Sequence, residues 1–189
     1  LLSIPGSAEK VEVGVLVTFN YHLRDAPETV LTVATTRLET MLGDVAVAVH
    51  PEDPRFMHLI GQRLVHPFFP AREMRVVGDA YVDKEFGTGC VKITPAHDSN
   101  DFAIGKRHGL EMINILADDG TISIEGTEFS GQHRFVVRRT IEAKLKELGL
   151  FVAKKDHAMK VPKCSRSGDI IEPVLRPQWW MDCASLAEQ

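Results

Sequence analysis

Apolar and polar positions along the chain divide it into short elements. Val11, Val13, Val15 and Val17 alternate with other side chains, and this period of two predicts a strand over residues 11–23. Asp25-Ala26-Pro27-Glu28 is a turn signal, and the β-branched run 29–35 that follows predicts a second strand, the pair forming a hairpin. Residues 37–42 fit a short helical turn ended by Gly43, and 45–49 fit a strand stopped by His50-Pro51. A short helix over 55–60 should end at Gly61, with brief strands at 64–65 and 75–77. Residues 90–94 predict a strand, 100–108 a helix with Gly109 just past its end, and 112–116 a strand closed by Asp118-Asp119-Gly120. The longest helical pattern runs over 134–148, with Phe135, Ile141, Leu145 and Leu148 as its apolar stripe and Gly149 as its stop. Residues 151–153 read as a last strand, before a tail punctuated by Pro162, Pro173 and Pro177. Short strands mixed with a few helices imply an α+β or barrel-like domain, with no internal repeat.

A length of 189 residues suits one domain, and an apolar content of 44% is ample for a core. No apolar run is long enough for a membrane span. The start, Leu1-Leu2-Ser3-Ile4-Pro5, has neither an initiator Met nor the basic region of a signal peptide, so the chain is expected to be a segment of a longer one. Cys90, Cys164 and Cys183 are odd in number and widely spaced, which suits a reducing cytoplasm rather than a disulfide framework or a zinc site. The net charge of −4 excludes a globally basic nucleic-acid binder. Residues 134–166, however, hold ten Lys/Arg against three Asp/Glu. That is either a basic surface for phosphates or an ordinary solvated face.

Two motifs carry the candidate chemistry. In Gly87-Thr88-Gly89-Cys90-Val91-Lys92-Ile93-Thr94-Pro95-Ala96-His97-Asp98-Ser99-Asn100-Asp101-Phe102, the strand period puts Lys92 and Thr94 on one face. That face should meet Asp98 and Asp101 at the start of the next helix. A cation, a hydroxyl and two carboxylates around one spot suit a polar ligand bearing an ammonium group. Against this stands a plain capping arrangement, with Asp98 as N-cap and Asp101 in the first turn. His97, Asp98 and Asp101 also permit a metal hydrolase. A Ser-His-Asp triad lacks its nucleophile elbow. In Thr35-Thr36-Arg37-Leu38-Glu39-Thr40-Met41-Leu42-Gly43-Asp44, the hydroxyls and Arg37 either line a polar wall or cap a turn, with Arg37 paired to Glu39.

These two motifs, with Ala46-Val47-Ala48-Val49-His50-Pro51, Gly105-Lys106-Arg107-His108, Asn114-Ile115-Leu116, and the tail from Cys164-Ser165-Arg166-Ser167-Gly168-Asp169 through Pro177-Gln178-Trp179-Trp180, resemble the valyl-tRNA synthetase family in its editing (connective peptide 1) domain. The resemblance covers nearly the whole chain and is weakest over residues 1–10. It departs from the common pattern at Leu38, where many members carry proline, which bears on the rigidity of that loop.

The resemblance implies a β-rich mixed α/β fold, the compact barrel-like editing domain of class I aminoacyl-tRNA synthetases on a β-ribbon stalk. Residues 1–189 would be one editing domain, with a core at about 24–160 and terminal segments 1–23 and 161–189 returning to the parent catalytic domain. It implies hydrolysis of threonine misattached to tRNA(Val), after transfer and also before it, within an enzyme that ligates valine to tRNA(Val). No cofactor or metal is expected in this domain, ATP and Mg belonging to the parent's synthetic site. Carried over by position, Lys92, Thr94, Asp98 and Asp101 are the catalytic set, and Asp101 also binds the substrate ammonium. Arg37, Thr35 and Thr40 line the pocket towards the terminal adenosine, and Phe86 packs on that adenosine. The partners would be the tRNA(Val) acceptor end and the parent synthetase, in the cytoplasm, with no membrane. Water would lose its proton either to a carboxylate or to a substrate hydroxyl. A tRNA-binding insert without activity is the remaining alternative.

Overall fold

A computed structural model describes residues 1–5 and 10–187. Among them, seven strands form one sheet in the order β2-β1-β4-β5-β3-β6, with β7 also pairing β1. The strands are β1 (Val15–Leu23), β2 (Val30–Thr35), β3 (Ala46–Val49), β4 (Arg63–Val65), β5 (Met74–Gly78), β6 (Cys90–Ile93) and β7 (Phe151–Asp156). Helices α1 (Ser99–His108) and α2 (Arg134–Glu147) pack against it, and a short α3 (Ala184–Ala187) lies near the end of the chain. All pairings are antiparallel except β3 with β5. Although they end the strand order, β2 and β6 approach within 8 Å between Cα atoms. The sheet therefore curls into a nearly closed, barrel-like form, the mixed β-rich architecture expected from the sequence.

β1 forms because its alternation is strict. Val15, Val17, Phe19, Tyr21 and Leu23 are buried while the residues between them are half-exposed. It starts at Val15 rather than Val11. Gly14 has a positive φ of 76°, and Val11 instead pairs with Leu2 in an isolated bridge. Because β1 pairs with β2, β4 and β7, it belongs to the heart of the sheet. The expected terminal segment 1–23 therefore includes a strand that pairs within the sheet. The terminal segments meet one another: Ile4, Val11, Phe135 and Ile170 form a small apolar cluster. Parts of those segments, 6–9 and 188–189, lie outside the described residues.

β3 is buried on both faces. Val47 and Val49 join the main core, while Ala46 and Ala48 join Ile93, Ile104 and Val77 beneath α1. The small alanines let α1 approach closely. Cross-strand partners share a face, so the pair Val47↔Lys92 turns Lys92 into the barrel interior.

Three local expectations change. The 55–60 helix is reduced to a 3-10 turn at Met57–Leu59, because Asp53 draws the chain into a tight turn through Arg55 N–H. The expected strand over 112–116 is absent. Its backbone bonds elsewhere, Ile115 N–H to the His97 ring and the Ile115 carbonyl to Ser123 N–H. In α2 the apolar stripe is Phe135, Val137, Ile141 and Leu145; Leu148 lies past the helix and is 55% exposed.

Candidate active site

The site forms where the end of β6, the start of α1 and the 3-10 turn Leu38–Gly43 converge. Its floor is a buried polar cluster. Lys92 Nζ donates to Asp44 Oδ1 at 2.9 Å, Thr40 Oγ1 at 3.0 Å and Thr94 Oγ1 at 2.6 Å. An ammonium has three protons, so Lys92 spends all of them on the protein. The Thr94 hydroxyl donates to Asp44 Oδ1 at 2.5 Å, and Tyr21 donates to Asp44 Oδ2 at 2.8 Å. Burial pushes the Asp44 carboxyl up, and Lys92 with its hydroxyl donors pulls it back. Burial and the neighbouring Asp44 together push the Tyr21 phenol well above its usual range, so it stays a donor.

Gly43 makes this closeness possible. A Cβ there would lie 3.0 Å from Thr94 Cγ2 and 3.1 Å from Ile115 Cγ2, tighter than ordinary contact.

Above the floor stand the two carboxylates of α1. Asp98 is the N-cap, its Oδ1 accepting from Asn100 N–H at 2.9 Å and Asp101 N–H at 3.2 Å. Its Oδ2 has only a long 3.5 Å contact with Arg37. Asp101 Oδ2 accepts from Thr94 N–H at 2.8 Å, and its other oxygen accepts no hydrogen bond among the described residues. Burial leads in pushing the Asp101 carboxyl up to about 6, against the pull of Lys92. Each carboxylate thus spends one oxygen on the fold, and the other is free of backbone partners. The capping expected from the sequence is present and leaves different atoms for a ligand.

Arg37 forms the rim. Its Nη2 donates to the His97 carbonyl at 2.9 Å and its Nη1 to Glu172 at 3.0 Å. It does not pair with Glu39, which is buried and clamped by Arg138 through two 2.6 Å bonds. Burial alone would raise the Glu39 carboxyl, but the guanidinium holds it below its usual value. Beside Arg37 lies an apolar cavity of about 180 Å³ bounded by Val13, Phe135, Ile170 and Pro173.

His97 is fully buried, and burial lowers its pKa to about 4. Its Nε2 accepts from Ile115 N–H at 2.9 Å, so Nδ1 carries the proton and faces the Pro173 carbonyl at 3.3 Å. With both ring nitrogens engaged and Asp98 capping the helix, the metal alternative lacks a ready ligand set. No group of three metal-competent side chains occurs among the described residues.

The structure therefore gathers Lys92, Thr94, Thr40, Asp98, Asp101 and Arg37. Thr35 serves the turn, its Oγ1 accepting from Arg37 N–H at 3.1 Å. Phe86 lies before β6, beyond the end of that strand opposite Thr94, and is 76% exposed. Sequence reasoning missed Asp44, Tyr21 and Glu172. Asp44 closes the first motif and was within reach, since antiparallel pairing of β3 with β6 carries it towards Thr94. Glu172 lies 135 residues from Arg37, and no spacing announces it.

The chain is similar in sequence to valine–tRNA ligases and in fold to LeuRS structures. The family described as leucyl-tRNA synthetase, editing domain, matches residues 58–137. Valine–tRNA ligase of Rattus norvegicus is 55% identical over 190 residues, covering all of this chain and 15% of the relative. That of Caenorhabditis elegans is 50% identical over 189 residues, again covering the whole chain and 18% of the relative. The chain thus spans less than a fifth of the length of these relatives. Two solved structures share the fold at a TM-score of 0.56. One is Agrobacterium radiobacter K84 LeuRS in a ternary complex with tRNA and LeuAMS, 17% identical, covering 86% of this chain and 24% of that one. The other is GlLeuRS-CP1, 12% identical, covering 76% of this chain and all of that one. With half or more of its residues identical to these valine–tRNA ligases along its whole length, the chain is similar to one segment of them, and it has the fold of the two LeuRS structures.

Proposed function

We propose that this chain hydrolyses the aminoacyl ester of threonyl-tRNA(Val), as the proofreading module of an enzyme that ligates valine to tRNA(Val) with ATP. The observation that carries the reading is the pair of carboxylates at the head of α1, each with one oxygen fixed by the fold, the other being open in Asp101 and held only by a long 3.5 Å contact with Arg37 in Asp98. Asp101 receives the substrate α-ammonium on its open oxygen. Asp98 Oδ2 accepts the threonine hydroxyl. Valine would leave that oxygen desolvated and unpaired, at a cost of about 1–3 kcal/mol or more for a charged group. A synthetic pocket cannot do this. An apolar site rejects threonine by only about 10²-fold, a known figure for valyl-tRNA synthetases as a class.

Lys92 supplies fixed positive charge rather than a free donor. It holds Thr94 and Thr40 in place, and its field favours the negative charge that develops on the ester. Arg37 lies at the rim where a ribose or phosphate would arrive, and Thr35 keeps its backbone in position. Phe86, an exposed ring on a loop, is available to stack on the terminal adenine. No step in this scheme requires a cofactor in this domain; ATP and Mg belong to the parent's synthetic site. The same pocket would accept a threonyl adenylate, which extends the activity to editing before transfer. The working partners are the tRNA acceptor end and the parent synthetase, in the cytoplasm. No helix among the described residues is long and apolar enough to cross a membrane.

The test is turnover of a soluble threonyl ester of adenosine by this chain. The expected result is hydrolysis that persists in excess chelator and falls at least about 10²-fold in Asp101→Ala with its fold intact. Abolition by chelator would transfer the chemistry to a metal. Wild-type turnover by Asp101→Ala would remove the anchor.

A further inference from the structure

The tail after β7 is expected from the sequence only to return to the parent enzyme, yet part of it lies against the site. Leu175 N–H donates to the Ala96 carbonyl at 2.9 Å, and the Pro173 carbonyl takes the His97 Nδ1 proton at 3.3 Å. Residues 172–175 are thereby strapped to the loop that feeds α1. Immediately before these anchors stands Glu172, its side chain 9% exposed. One oxygen accepts from Arg37 at 3.0 Å, and the other lies 3.8 Å from Arg134 Nε. That Arg134 nitrogen is buried and has no hydrogen-bond partner. Glu172 is thus the carboxylate that faces two guanidiniums, Arg37 at the rim and the buried Arg134.

Arg37 stands between two acids. Glu172 holds one amino group at 3.0 Å, and Asp98 Oδ2 lies 3.5 Å from the other. The geometry points to Glu172 as a positioning residue of the editing site. By holding Arg37, it keeps the guanidinium off Asp98 Oδ2, the oxygen left for the threonine hydroxyl. This inference rests on the functional reading above. Loss of the Glu172 charge releases Arg37 towards Asp98, since a short charge-assisted bond is stronger than a long contact. The released arginine then competes with the substrate hydroxyl. The effect falls on binding of threonyl substrate rather than on the chemical step.

The experiment is a double-mutant cycle on threonyl-ester hydrolysis, using Glu172→Gln, Arg37→Gln and the double variant, each also followed by thermal melting. Glu172→Gln should raise KM roughly tenfold with kcat nearly unchanged, and the effect should vanish in the Arg37→Gln background. Should Glu172→Gln fail to fold, Glu172→Asp decides. It keeps the charge but ends one methylene short of Arg37, so any rise in KM should be smaller than in a charge-free variant and should vanish in the Arg37→Gln background; a rise of equal size in both backgrounds overturns the proposal. Wild-type kinetics in Glu172→Gln, or an equal loss in both backgrounds, overturns it as well. A wild-type chain that hydrolyses no threonyl ester overturns the functional reading and this inference with it; active wild type with an indifferent Glu172→Gln overturns the inference alone.

Discussion

In the proposed function Asp101 meets two demands that oppose each other. To anchor an ammonium it must be ionised, yet burial lifts its pKa to about 6 from an ordinary 3.8. A folded-state pKa above the unfolded one means that the folded state favours the protonated acid. Relative stability is therefore full below about 4 and is lost as pH rises through about 6. Asp101→Asn keeps an oxygen for Thr94 N–H and removes the charge. Thermal melts should show the variant more stable by about 1–3 kcal/mol at pH 7 and no better than wild type at pH 4. A variant less stable at pH 7 would contradict the assignment. In the active chain, kcat/KM for the threonyl ester should rise with pH through about 6 as the free anchor ionises. The kcat limb should lie lower, because a bound ammonium favours the ionised carboxylate. The residues of this cluster were legible in the sequence because a strand period and a helix start put Lys92, Thr94, Asp98 and Asp101 within ten positions. Their hydrogen bonds were not. That Lys92 spends every proton on Asp44, Thr40 and Thr94 follows from where β3 and the 3-10 turn pack, which no local pattern encodes.

At the level of elements, α1 shows how one residue can serve both structure and function. Asp98 caps the helix with Oδ1 and offers Oδ2 to the site. Two substitutions separate these roles. Asp98→Ala should lose about 1 kcal/mol of stability with the cap. Asp98→Asn retains a capping oxygen and should melt within about 0.5 kcal/mol of wild type. It should nonetheless lose preference for threonyl over valyl ester, because its amide no longer offers the same charged acceptor. Equal discrimination by wild type and Asp98→Asn would move the sieve elsewhere. The helix was readable from its ends, Asp98 before it and Gly109 at φ 60° after it. The expected strand over 112–116 was misread because an apolar run with β-branched residues is ambiguous between a strand and a buried connector. Here His97 took the backbone donor of Ile115 that a neighbouring strand would otherwise have used. In α2, Leu148 kept the helical period but lay beyond the last turn, and Val137 took the buried place.

For the molecule as a whole, the sheet order and the path of the tail decide function. Closing the barrel brings the Leu38–Gly43 turn, from early in the chain, against the end of β6, and the tail then straps Glu172 to the rim. Such long-range neighbours have no signature in spacing, which is why Glu172 is not legible in the sequence. The basic segment 134–166 also changes meaning in three dimensions. Arg138 pairs with Glu39, Lys144 with Glu128, Lys146 with Glu142, and Lys154 with both Glu12 and Glu142. Much of its charge is spent on acidic partners, several of them outside the segment, so it is not simply an open phosphate-binding face. In the proposed function the module removes threonine, and not valine, through a carboxylate anchor. The most direct test is the loss of label from threonyl- and valyl-tRNA(Val) incubated with this chain, beside Asp101→Ala. Rapid release of threonine alone is expected, abolished in the variant; equal release of both amino acids, or undiminished release of threonine by the variant, would rule the anchored sieve out.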